Sequence, residues 1–156
     1  MLPPISAAVL GILCVTAGFL DVRDRRLPNW LCVLTAALGL IAIAILLSPY
    51  SALLAAAHGL AALIIGMVLF QFGVFGGGDA KFYAGIACWF PLSQGMLLLA
   101  LTSFFALLFV AFWFAVSYKK RDSETQASAK KTMLPFGVPI AAAGFSGFCM
   151  SPIITF

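Results

Sequence analysis

The chain has 156 residues, 63% of them hydrophobic and 9% charged, and its net charge is +4. Fourteen charged side chains cannot cover a soluble globule of this length, whose composition would be about a quarter charged. Intrinsic disorder is excluded as well, because it requires low hydrophobicity and high charge. What remains is an integral membrane protein of one compact domain over residues 1–156.

The charges fall in three islands: Asp21 to Arg26, Asp79 with Lys81, and Lys119 to Lys131. Between them lie charge-free runs over 1–20, 27–78, 82–118 and 132–156. A spanning helix needs about 20 apolar residues, so the first and last runs hold one helix each. The run 27–78 holds two, broken at Ser48-Pro49-Tyr50-Ser51, where Ser and Pro suit a tight turn. The run 82–118 also holds two, broken near Phe90-Pro91-Leu92-Ser93-Gln94. Taken in chain order, the predicted helices cover 2–20, 30–47, 52–74, 80–92, 95–117 and 134–152. The fold expected is therefore an all-α polytopic bundle of six transmembrane helices.

Six spans place all nine Lys and Arg on one side, which the positive-inside rule makes cytoplasmic. Both termini then lie outside. The basic balance is an orientation signal and calls for no nucleic-acid partner. The first helix has no basic residue before its apolar stretch, so it reads as a retained helix rather than a cleaved signal. The polar stretch 118–133 reads as a flexible cytoplasmic loop. Cys14, Cys32, Cys88 and Cys149 are scattered, with no CxxC pair for a zinc or methyltransferase region. Gly59 and Gly66 share a helix face and predict close helix packing.

An aspartate at a helix centre costs about 2.5–3.5 kcal/mol to insert, so acids at helix ends are informative. Asp21 closes the first apolar run, and Asp79 stands between the third and fourth helices. Both belong to the cytoplasmic boundary, where packing can bring them together. Asp24 lies three residues from Asp21, and spacing alone leaves either one as the working acid. Gly76-Gly77-Gly78 before Asp79 frees the backbone for dihedrals closed to other residues and leaves room for an extended peptide. The plain alternative is a turn between helices. Pro28 disfavours helix at Leu27 and suits the start of the next one. Asn29 follows it, and Trp30 fits an interfacial anchor.

These stretches carry a resemblance. Asp21 to Asn29 resembles the D-x-R-x-R-x-[IL]-P-N signature of type IV prepilin peptidases. Gly76-Gly77-Gly78-Asp79-Ala80-Lys81 resembles their GxGD-x-K motif. Pro135-Phe136-Gly137-Val138-Pro139, followed by Gly144, is similar to the P-[FY]-G segment of their last helix. The size resembles the short CpaA/TadV type that serves Flp-type pili. The resemblance implies an aspartyl protease with Asp21 and Asp79 as its pair and settles Asp21 over Asp24. It implies no metal and no cofactor. The supporting loop would be Gly76, Gly77 and Gly78 with Lys81, and Asp24, Pro28, Asn29, Pro135, Phe136 and Gly137 would shape the site or meet substrate. The partners implied are prepilin precursors, the lipid bilayer and pilus assembly machinery. The membrane implied is the cytoplasmic (inner) one, with the active site at its cytoplasmic face.

Rival readings rest on other residues. Gly144-Phe145-Ser146-Gly147 fits GxSG, and His58 is the single histidine, so a rhomboid-like serine protease is one rival. Asp21, Asp24 and Asp79 around Mg²⁺ would make a metal-dependent lipid-phosphate enzyme. Acids along an ion path would make a small transporter or a non-enzymatic assembly subunit.

Overall fold

The computed structural model describes residues 2–24, 27–73, 76–121 and 136–150. These residues form six α-helices and no strand: α1 (Leu2–Asp24), α2 (Asn29–Leu46), α3 (Pro49–Gln71), α4 (Gly77–Ala87), α5 (Gly95–Arg121) and α6 (Gly137–Met150). A single 3₁₀ turn, Leu92–Gln94, leads into α5. Four windows, Pro4–Asp24, Asn29–Leu46, Pro49–Gln71 and Leu92–Ala115, are long and apolar enough to cross a bilayer. The protein is an all-α membrane bundle, as its composition requires.

The breaks follow local chemistry. Pro28 is extended at φ −69°, ψ 139° and caps α2, and its carbonyl accepts from the Leu31 N–H at 3.1 Å. Ser48 caps α3, its hydroxyl accepting from the Ser51 N–H at 3.1 Å, with Pro49 in the first helical position.

Three boundaries differ from the sequence expectation by four residues or more. α1 runs on to Asp24 rather than stopping at 20, because Asp21-Val22-Arg23-Asp24 ends the apolar run without containing a helix breaker. α4 stops at Ala87 rather than 92. Pro91 keeps the residue before it from continuing a helix, and Trp89 turns inward to donate from Nε1 to the Thr35 carbonyl at 2.9 Å. α4 therefore has 11 residues, about 16 Å of rise against a hydrocarbon core of about 30 Å. α5 continues to Arg121, so residues 118–121 are helical instead of loop. The rest of the expected loop, 122–133, lies outside the described residues.

Small residues set the packing. Gly59 and Gly66 seat α3 on α4: a Cβ at Gly59 would collide with Cys88 Sγ, and one at Gly66 would come 2.9 Å from Ala80 Cβ. α6 packs on α1, α4 and α5. Gly11 of α1 admits the Phe145 ring, and Gly144 of α6 admits Ile86 of α4. Trp89, Phe90 and Phe148 are buried at the centre, with Phe148 edge-on to Trp89 at a centroid distance of 5.5 Å. The consequence for function is that α6 lies between α1 and α4, the two helices that carry the boundary acids.

Candidate active site

Asp21 lies in the last turns of α1 and is 5% exposed. Its burial is possible because it has partners. The backbone N–H of Gly137 donates to Asp21 Oδ2 at 2.7 Å, and Val138 follows it in the same turn. These are the first two residues of α6, whose unpaired amide groups need acceptors. Asp21 thus caps a helix 116 residues away in the chain. Gly137 must be glycine or nearly so, since a Cβ there would sit 2.7 Å from Oδ2 and 3.0 Å from Cγ.

Asp24 lies three residues further on, at the end of α1. It is exposed and lies 3.7 Å from Arg23 in a surface ion pair. The two acids that spacing left equivalent are therefore separated by burial, and Asp21 faces the bundle.

Asp79 occupies the first turn of α4, outside the four long spans, and is half-buried. Burial, and after it the charge of Asp21, push its carboxyl up to about 7 from an ordinary carboxylate value. A helix N-terminus favours an anion by about 0.3–1 kcal/mol, too little to offset both effects. Asp79 therefore keeps its proton up to near neutrality, through burial first and the Asp21 charge second.

The glycines before Asp79 work differently from the expectation. Gly76 has φ −73° and ψ 137°, an ordinary extended conformation, and Gly77 and Gly78 are already helical. The one positive-φ glycine among the described residues is Gly73, at 71°. What the three supply is space. A Cβ on Gly76 would collide with Asp79 Oδ2, one on Gly77 would meet the Phe70 ring at 3.3 Å, and one on Gly78 would meet Leu27 at 3.5 Å.

Lys81 extends to Asn29, donating from Nζ to Oδ1 at 3.0 Å. The ends of the two acid-bearing motifs are tied together by this bond, which sequence spacing gave no means of finding. Pro28 sets the turn that presents Asn29. Phe136 stands in the turn that opens α6, and its carbonyl accepts from the Ile140 N–H at 3.3 Å. Pro135 lies outside the described residues, as do Arg25 and Arg26.

His58 and Ser146 do not form a pair. His58 is buried, with Nδ1 3.0 Å from the Phe90 carbonyl. Ser146 donates to the Ala142 carbonyl of its own helix at 2.7 Å. Among the described residues no three His, Cys, Asp or Glu side chains converge as metal ligands. Asp24, the third acid of that rival reading, is exposed and paired with Arg23, whereas Asp21 is buried.

Two apolar grooves flank α4. One, of about 480 Å³, lies between α3 and α5 over α4 and passes Gly66, Ala80, Tyr83 and Met96. The other, of about 500 Å³, opens beside Asn29 and Lys81 and runs past Ala36 to Cys88.

An all-helical membrane protein with two acids drawn to one rim of the bundle defines the class. Residues 8–111 match the family model described as the type IV leader peptidase family. That is two thirds of the chain and includes both acids, and the chain belongs to this family, a family of proteases. No curated protein and no solved structure gives a match.

Proposed function

We propose that this protein is an aspartic-type endopeptidase of the cytoplasmic membrane that removes the leader peptide from prepilin-like precursors, with Asp21 and Asp79 as its catalytic pair. The observation that carries this reading is that Asp79, half-buried at the start of α4, lies within electrostatic reach of the buried Asp21, whose charge adds to burial in pushing the Asp79 carboxyl up to about 7. Family membership supports the peptidase class, and the three charged islands support an active site on the cytoplasmic side with both termini outside.

The chemistry is a hydrolysis that needs no covalent intermediate. The ionised carboxylate takes a proton from a water molecule, whose oxygen attacks the scissile carbonyl carbon. The protonated carboxyl gives its proton to the carbonyl oxygen, forming a gem-diol. The first acid then passes its proton to the leaving nitrogen. One gem-diol hydroxyl returns a proton to the second acid as the C–N bond breaks. A new carboxyl group and a new amine result, and the pair is restored.

A helical peptide bond resists this attack because its carbonyl is engaged in a hydrogen bond. The substrate must be extended where it is cut, and the glycines beside Asp79 leave room for a backbone. The groove between α3 and α5 passes Ala80, the neighbour of Asp79, and offers an apolar bed for the helix that follows the leader. Pilus assembly machinery and the bilayer are the remaining partners of this reading.

The test is co-expression with a prepilin scored by gel shift. Wild type should shorten the precursor, and Asp21→Asn and Asp79→Asn should not while accumulating in the membrane at wild-type levels. Full processing by either amide variant would overturn the assignment of the pair. Processing abolished by a serine-directed inhibitor would favour the Ser146 reading.

A further inference from the structure

We propose that the first turn of α6 assigns the roles within the pair: the Gly137 amide holds Asp21 as the anionic base, Asp79 is left as the proton-carrying acid, and Gly137 is the positioning residue. This rests on the reading above and goes beyond it, since a symmetric pair would serve that chemistry equally well.

The asymmetry is geometric. Asp21 has a backbone donor, the Gly137 N–H at 2.7 Å from Oδ2, at the positive end of a helix. An N–H can only donate, and it bonds an ionised carboxylate oxygen more strongly than a neutral carboxyl, so it favours the anion. Oδ2 is occupied by Gly137, which leaves Oδ1 to receive the proton of water. The charged groups around Asp21 do not reverse this. On α1, Arg23 and Asp24 are exposed and face each other. On α2, Asn29 takes the Lys81 ammonium. On α4, Asp79 is the acid facing it. From α6 the facing group is the Gly137 amide.

Gly137 makes the arrangement possible because any side chain would displace the carboxylate it holds. The register that brings it there comes from packing: Val138 lies against Gly18, Phe145 against Gly11. The family match ends at residue 111, so α6 and this contact lie beyond it.

Cleavage then proceeds with directed proton movement. Asp21 Oδ1 accepts the water proton while the Asp79 hydroxyl protonates the carbonyl oxygen. Asp21 later protonates the departing nitrogen, and Asp79 recovers its proton from the gem-diol. The bonds broken are one water O–H and the peptide C–N. Those formed are C–O and N–H.

The test uses purified full-length protein in detergent with a synthetic prepilin peptide, comparing wild type with Gly137→Ala. The variant keeps its N–H but crowds the carboxylate. We expect kcat to fall at least about tenfold with KM within about threefold, and the acid limb of the pH–rate profile to move up by about one unit. An unchanged kcat and acid limb, or a loss confined to KM, overturns the assignment. A second comparison needs no activity. Asp21→Asn keeps an acceptor for Gly137 and should melt with wild type, whereas Asp21→Ala should melt several degrees lower. Equal melting of all three overturns the anchor. Should wild type leave the peptide uncut, the protease reading fails, and the melting comparison still decides the contact.

Discussion

Replacing Asp79 with Asn removes a carboxyl that the fold resists ionising, and the consequence for stability has a definite sign. In the unfolded chain this group releases its proton near 3.8, and in the fold near 7. Between those values the unfolded state loses the proton while the native state keeps it. The stability that the protonated group has below 3.8 is therefore lost progressively up to about 7 and stays lost above it. The whole interval corresponds to about 4 kcal/mol at 1.36 kcal/mol per unit. A carboxyl partly open to water realises less of it, about 2–3 kcal/mol. Asn has no such loss. At about 2–4 °C per kcal/mol for a chain of this size, Asp79→Asn should melt about 5–10 °C above wild type near pH 8. Near pH 4 the two should agree to about 2 °C. Tryptophan fluorescence on detergent-purified protein follows the transition, because Trp89 is buried in the core. A gap between variant and wild type that is the same at both pH values refutes the reasoning.

Three further outcomes follow from the same geometry. Since the protonated form of Asp79 is the acid, cleavage at pH 8 should be about one tenth of that at pH 6, and a rate still rising through pH 8 contradicts this. Gly66→Leu forces a side chain into Ala80, 2.9 Å from the Cβ position. It should cost about 1–3 kcal/mol, read as a lower melting temperature, and should slow cleavage by tilting the first turn of α4 beneath Asp79. Treatment with EDTA should leave cleavage unchanged, and loss restored by added Mg²⁺ would favour the metal-dependent reading.

Much of the fold was legible because the bilayer makes charge placement a length gauge. Islands of charge marked the helix ends, and Ser48-Pro49 and Pro28 supplied the turn chemistry. Gly59 and Gly66 were readable as a packing face, since helical period alone decides it. The limits lay where tertiary contacts override composition. Apolarity carries on past Ala87, so only the inward turn of Trp89 to Thr35 reveals where α4 stops. Charge ends an apolar run but not a helix, so α1 was read short at Asp21.

The site was legible in its acids and not in its connections. Asp21 and Asp24 were equivalent by spacing, and burial separates them. The glycines before Asp79 stood out, but what they supply is room, at Gly76 for the Asp79 carboxylate and at Gly77 for the Phe70 ring, not unusual dihedrals. The capping of α6 by Asp21 and the bond between Lys81 and Asn29 join residues far apart in sequence. No periodicity marks such pairs. The one available signal was a glycine at the entry of the last helix, a position where close approach to another group is a standing reason for the residue.

The central claim is that Asp21 and Asp79 together cut a peptide bond. The most direct measurement incubates purified protein in lipid vesicles with a prepilin and identifies the products by mass spectrometry. Wild type should make one cut at the junction of leader and apolar helix, and the precursor should stay intact with Asp21→Asn or Asp79→Asn protein that melts no lower than wild type. The same product from a protein carrying both amides would contradict it.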